Sequence, residues 1–141
     1  MGNYLLRQPR QELRLSTKVG RVFTAPPDAV GFAASSRAWP AGLQFDHHHD
    51  YSYAGVMRAY EDSLQRLGMN RIDMLLIHDL DLANLGSDAL VDAHFAQLAT
   101  GGMRALADLR AAGLVGAIGA GVDRLGTIPR FLDALDLDFF L

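Results

Sequence analysis

The chain has 141 residues, half of them hydrophobic, with a formal net charge of −3 and no cysteine. That length suits one domain, the charge weighs against a nucleic-acid or polyanion binder, and the missing thiols exclude disulfides and thiolate metal sites. Residues 1–7 lack the apolar core of a secretory signal and no apolar run approaches a membrane span, so the expectation is a soluble, cytoplasmic α/β protein with no membrane partner.

From the amino terminus, residues 9–12 are a polar lead-in to a strand over residues 13–19, where Leu13 and Leu15 alternate with Arg14 and Ser16. The strand ends at Lys18. Residues 26–50 read as a long irregular insert, with Pro26-Pro27, Ser35-Ser36, Pro40 and Gly42. Long loops in compact domains tend to be functional or mobile, so the insert is either a substrate lid or a surface excursion. Ser52 then caps a helix in which Val56, Met57, Tyr60, Leu64 and Leu67 recur at helical spacing, and Gly68 stops it.

A strand over residues 72–78 follows and breaks from Leu75-Leu76-Ile77 into His78-Asp79-Leu80-Asp81. A second loop, residues 82–93, leads to a helix over residues 95–112. Gly101-Gly102 predicts a kink or a late start in it, Met103, Leu106 and Leu109 face inward, and Gly113 closes it. Residues 115–120 form a third strand, 128–135 a short helix, and 137–141 the start of a fourth strand. The order β-α-β-α-β-α-β makes parallel, right-handed crossover units.

A parallel α/β fold presents its chemistry at the carboxyl ends of its strands, and here those ends carry Lys18 and His78. A cation and an imidazole delivered this way suit polarised-carbonyl or proton-transfer chemistry. Each residue also has an ordinary role open to it. Lys18 could be a solvated surface charge, and His78 a satisfied core histidine. Asp79 and Asp81 could meet substrate hydroxyls or cap the next turn. His47-His48-His49, beside Asp46 and Asp50, has metal-ligand residue types, but adjacent histidines on a loop rarely converge on one ion, so no metal is assigned.

Ser16-Thr17-Lys18-Val19-Gly20-Arg21 resembles the strand-three lysine segment of the aldo-keto reductase superfamily. Asp50 to Val56, continuing through Asp62 to Gly68, is similar to its next helix. Arg71 to Asp81 resembles its strand-four histidine segment, and Leu109 to Gly119 the helix and strand after that. Asp50 to Tyr53 and His78-Asp79-Leu80-Asp81 look most like the branch of aldose dehydrogenases acting on galactose- or fucose-type sugars.

The resemblance implies an α/β fold, a partial TIM (β/α)8 barrel holding strands 3 to 6 with their helices, across residues 1–141 and incomplete at both ends. It implies hydride transfer between NAD or NADP and an aldehyde or aldose. Lys18 and His78 would be catalytic, Gly121 and Asp123 would lie against the cofactor, and Asp79 and Asp81 against the substrate. The family's proton-donating Tyr and its Asp partner are expected upstream of Met1, so the chain alone is expected to be inactive. Two other readings stay open: a metal-dependent barrel hydrolase using His78, Asp79, Asp81 and the histidine triplet, and a non-catalytic half-barrel that assembles with a related chain.

Four parallel strands leave an inner face and two edges without partners, and the apolar end Phe139-Phe140-Leu141 is left wet at roughly 25 cal/mol per Å². The isolated chain is expected to self-associate through its strand edges or to lose fixed packing. Analytical ultracentrifugation and thermal melting check this; a sharp two-state melt of a clean monomer contradicts it.

Overall fold

The computed structural model describes residues 2–28, 32 and 45–141. A short helix α1 (Gly2–Leu5) and a 3-10 turn (Arg10–Glu12) lead into β1 (Ser16–Val19). Asp73 ties this lead-in to the next parallel strand: it accepts from the Leu15 amide at 2.8 Å and pairs with Arg10 at 2.8 Å. β2 (Arg21–Thr24) and β3 (Asp46–His49) pair antiparallel. α2 (Tyr53–Leu67) begins at Ser52, whose hydroxyl accepts from the Gly55 amide, and ends at Gly68 in left-handed backbone. β4 (Met74–His78) is followed by α3 (Leu82–Leu85) and α4 (Asp88–Gln97), then a π-helical turn (Leu98–Gly102) and α5 (Met103–Ala111). β5 (Ala117–Gly121), α6 (Ile128–Ala134) and β6 (Phe139–Phe140) complete the chain.

β1, β4, β5 and β6 form one parallel sheet in that order, so each strand sits beside the next along the chain, as the helical crossovers predict. Lys18 lies opposite Leu76 and Leu76 opposite Gly119; one level up, His78 lies opposite Gly121. Side chains alternate between faces along a strand. Val19, Leu75, Ile77, Ile118 and Ala120 therefore share the face covered by the helices, where they are buried among Val56, Ala105, Leu106 and Phe131. Lys18, Leu76, His78, Gly119 and Gly121 share the opposite face, the inside of a barrel. Asp138 accepts from the Ile118 amide and pairs with Arg110, which brings β6 onto β5, and the Phe140 ring meets Phe131 edge-on at 6.2 Å. Among the described residues no helix is long and apolar enough to cross a membrane.

Two expectations are corrected. Residues 46–49 are not irregular: they pair with β2 and put the histidine triplet on a strand. Of the rest of the expected lid, residues 29–31 and 33–44 lie outside the described residues. Residues 82–93 are mostly helix, because Asp81 and Ser87 cap α3 and α4 and Gly86 turns the chain between them in left-handed backbone. Gly101-Gly102 interrupts the long helix at the expected place, and α5 starts directly after it at Met103. The pair sits in the π-helical turn, which widens the backbone by one residue and lets it press on the start of α2; a Cβ at Gly102 would stand 2.4 Å from the Tyr51 carbonyl oxygen.

Gly20 has the same purpose one strand away. Its φ is +108°, and a Cβ there would lie 2.2 Å from the Tyr51 ring. Gly113, by contrast, is left-handed at +70° with nothing within 4 Å of its missing side chain. Gly113→Ala should therefore cost the backbone term alone, about 1–2 kcal/mol. Gly20→Ala adds a steric clash of about 1–3 kcal/mol to a comparable backbone term. Urea unfolding of the two variants is expected to rank them in that order.

Candidate active site

Lys18 is the only lysine of the chain. Its position near the end of β1 and that of His78 at the end of β4 put both at the carboxyl edge of the sheet, on one face, as the register requires. The Lys18 stem crosses β5 at Gly121, where a Cβ would stand 3.0 Å from Cε. Its Nζ lies 3.5 Å from Asp79 Oδ1. The other oxygen of Asp79 lies 3.1 Å from His78 Nε2 and 3.4 Å from the Arg21 guanidinium at the start of β2. Arg21 also donates to Asn84 Oδ1 at 3.0 Å, and the Asn84 side chain donates in turn to Asp81 and, at 3.3 Å, to Asp123. Polar contacts thus run from β1 through β2, β4 and α3 to the tip of β5.

Tyr51 underlies this edge. It is fully buried; its hydroxyl donates to the His78 carbonyl at 2.6 Å and its amide donates to Gln97 Oε1 at 2.8 Å. The His49 ring lies parallel to it at 6.2 Å, and His94 meets it edge-on at 5.4 Å. Burial pushes the Tyr51 phenol well above its ordinary range, with Asp79 and Asp81 adding to the rise and Arg21 opposing it. It is a neutral donor and no proton source at neutral pH.

His78 is pushed down to about 3, first by burial and then by the Arg21 and Lys18 charges, with His49 and His47 adding to them. His49 is pushed down to about 4, again by burial first, then by Arg21 and the neighbouring imidazoles. The contact between His78 and Asp79 is therefore that of a neutral imidazole with a carboxylate at pH 7. A neutral imidazole beside a fixed ammonium can hold and polarise an oxygen atom without itself acting as a strong acid.

The structure brings Lys18, His78 and Asp79 together, with Gly121 beneath them. Asp81 takes the capping role open to it from the sequence: it is 2% exposed and caps α3, accepting from the Asn84 amide at 2.9 Å. Asp79 faces three basic side chains in place of open space. Asp123 is exposed at the rim. His47 and His49 lie on one face of β3, and among the described residues no three metal-ligand side chains converge on a point an ion could fill. Sequence reasoning missed Arg21, Asn84 and Tyr51. The one signal for Tyr51 was the pair of close-approach glycines, Gly20 and Gly102, and nothing in the local pattern links them to it.

A parallel sheet with basic and imidazole groups at its carboxyl edge is the arrangement of a β/α barrel, and the comparisons with known proteins give the family. The model of the aldo/keto reductase family matches residues 1–131, and the chain belongs to that family. It is 39% identical over 144 residues to the pyridoxal 4-dehydrogenase of Microbacterium luteolum, across 95% of this chain and 41% of that protein. It is 30% identical over 151 residues to the D-threo-aldose 1-dehydrogenase of Pseudomonas sp, across 100% of this chain and 40% of that protein. The chain thus spans about two-fifths of the length of these relatives. The holo form of the aldo-keto reductase AKR11C1 from Bacillus halodurans superposes with a TM-score of 0.63 at 22% identity, covering 99% of this chain and 36% of that one, a likeness of fold.

The two depressed histidines set a pH dependence. Both have folded pKa values below the ordinary 6.5, so the unfolded chain takes up protons that the folded chain refuses. Stability is then complete above pH 6.5 and falls as pH drops towards 4 and 3, with a slope of at most about 1.4 kcal/mol per pH unit for each imidazole. Urea unfolding at a series of pH values should show this slope, and His78→Asn and His49→Asn should each flatten it.

Proposed function

We propose that this chain supplies the lysine and histidine of an NAD(P)-dependent aldo-keto reductase site that moves hydride between a nicotinamide dinucleotide and an aldehyde or aldose. The observation that carries the reading is the arrival of Lys18 and His78 from adjacent parallel strands on one face of the sheet, 3.5 and 3.1 Å from a single carboxylate. The Lys18 ammonium stabilises negative charge on a proton-donating phenol placed beside it. His78, kept neutral, flanks the substrate oxygen and sets the angle at which the carbonyl carbon is presented.

The nicotinamide supplies hydride when bound. Asp123, exposed at the tip of β5, fits its carboxamide as an acceptor from the NH2 group and would hold the nicotinamide end, while Gly121 beside it gives its open side to the Lys18 stem. The relatives are named for pyridoxal and for D-threo-aldose, and both molecules join an aldehyde-level carbon to hydroxyl groups. That shared chemistry is the substrate class proposed here, and the galactose- and fucose-type sugars fall within it. A cytoplasmic setting, where nicotinamide dinucleotides are supplied, belongs to the same proposal.

The 141 residues by themselves are proposed to be inactive. Tyr51 and Tyr53 direct their hydroxyls to the His78 carbonyl and to Asp108, Tyr60 lies in the core, and Tyr4 sits on α1, which packs against α2. None supplies the phenol that Lys18 would activate. With NAD or NADP and a panel of aldoses and pyridoxal, the isolated chain should show no change in nicotinamide absorbance. A longer polypeptide that continues this segment should turn over, and Lys18→Met or His78→Ala should lower its kcat by about 10²–10⁴-fold. Unchanged kcat in both variants would overturn the assignment.

A further inference from the structure

Asp79 has a φ of +38°, and among the described residues it alone departs from the rule that only glycine takes left-handed backbone. Aspartate tolerates that region better than most residues, yet it remains uncommon. The turn is held from both sides. The buried Tyr51 hydroxyl pins the carbonyl of His78 just before it, and Asp81 just after it is fastened to the first turn of α3. Between these anchors Asp79 takes its left-handed conformation, and its carboxylate lies over the strand ends. There one oxygen faces Lys18 and the other faces both His78 and Arg21, and the side chain is 14% exposed.

We infer that Asp79 is a positioning residue: pinned through the Tyr51–His78 hydrogen bond, its carboxylate fixes Lys18 and His78 relative to one another and does not itself bind substrate. The inference rests on the roles given to Lys18 and His78 above. It differs from the expectation that this carboxylate meets sugar hydroxyls, because both oxygens already face basic groups from β1, β2 and β4. Lys18 has four rotatable bonds and about a third of its side chain in solvent. Among the described residues, the groove at Gly121 and this carboxylate are what hold its ammonium in place. His78 sits directly before the left-handed turn, so the backbone that aims its imidazole is the backbone Tyr51 holds.

The test uses the fact that Lys18 is the only lysine. Reductive methylation with ¹³C-formaldehyde labels it and the terminal amine alone and keeps both charged. In the full 141-residue chain, the Lys18 signal is expected away from the position of free dimethyl-lysine. Asp79→Asn, which still tolerates left-handed backbone, should return it to that position. Asp79→Glu should restore part of the displacement, and Tyr51→Phe should move the signal part of the way. Asp62→Asn, which breaks an exposed pair on α2, should leave it in place. A Lys18 signal unmoved by Asp79→Asn overturns the inference.

The second readout is kinetic, in the longer polypeptide. Asp79→Asn should lower kcat, by as much as about 10²-fold, with the sugar KM little changed. A raised KM at unchanged kcat would make Asp79 a substrate ligand and overturn the inference as well. The labelled lysine needs no turnover to be read, so failure of the reductase assignment itself is seen separately, as absence of nicotinamide-linked activity in the unsubstituted protein.

Discussion

Parallel pairing of β1, β4 and β5 in one register is the constraint on which the rest depends. It places Lys18, Leu76 and Gly119 at one level and His78 and Gly121 at the next. Pleat alternation then sends Val19, Leu75, Ile77, Ile118 and Ala120 into the helices and the functional side chains to the other face. A slip of one residue in either pairing would bury the lysine or the imidazole in the apolar layer and expose the core set. Burial of that layer therefore stabilises the fold and the arrangement of the site together.

Tyr51 connects the packing to the polar edge. It has no surface exposure and fills the space left by two absent side chains, at Gly20 and Gly102. The π-helical turn between α4 and α5 is what allows the second approach, and π turns recur at functional sites because they let backbone come close without ending a helix. From this position the Tyr51 hydroxyl reaches the carbonyl beneath the His78 imidazole. The close approach of Gly102 to the Tyr51 carbonyl oxygen is thus linked through one residue to the backbone that carries the His78 imidazole.

Electrostatics at the edge is an imbalance held by geometry. Burial, with the Arg21 and Lys18 charges beside it, keeps His78 neutral, and burial, with Arg21 and the neighbouring imidazoles, does the same for His49. Asp79 is the carboxylate among them. Desolvation offsets much of what a partly buried ion pair contributes to stability, so this group matters for where it directs its neighbours more than for how strongly it binds them. The hairpin of β2 and β3 takes part because Arg21 and His49 face each other across its first pair.

Much of the architecture was legible in the sequence by itself. Period-two and period-3.6 patterns located the four parallel strands and most of the helices, Ser52 and Gly68 marked the ends of α2, and the strand ends at Lys18 and His78 announced chemistry. Local physics suffices there, because propensity and capping act over a few residues. The sequence could not show that residues 46–49 pair with β2, since three histidines carry no strand periodicity and the pairing is with residues more than twenty positions away. Nor could it separate Asp79 from Asp81: two carboxylates one residue apart look alike in a string, and only the left-handed turn sends one to the cations and the other to the amide of α3. Tyr51 was hidden for the same reason. Its role is set by glycines in two other segments and by a carbonyl on a third, and only folding brings them to one place.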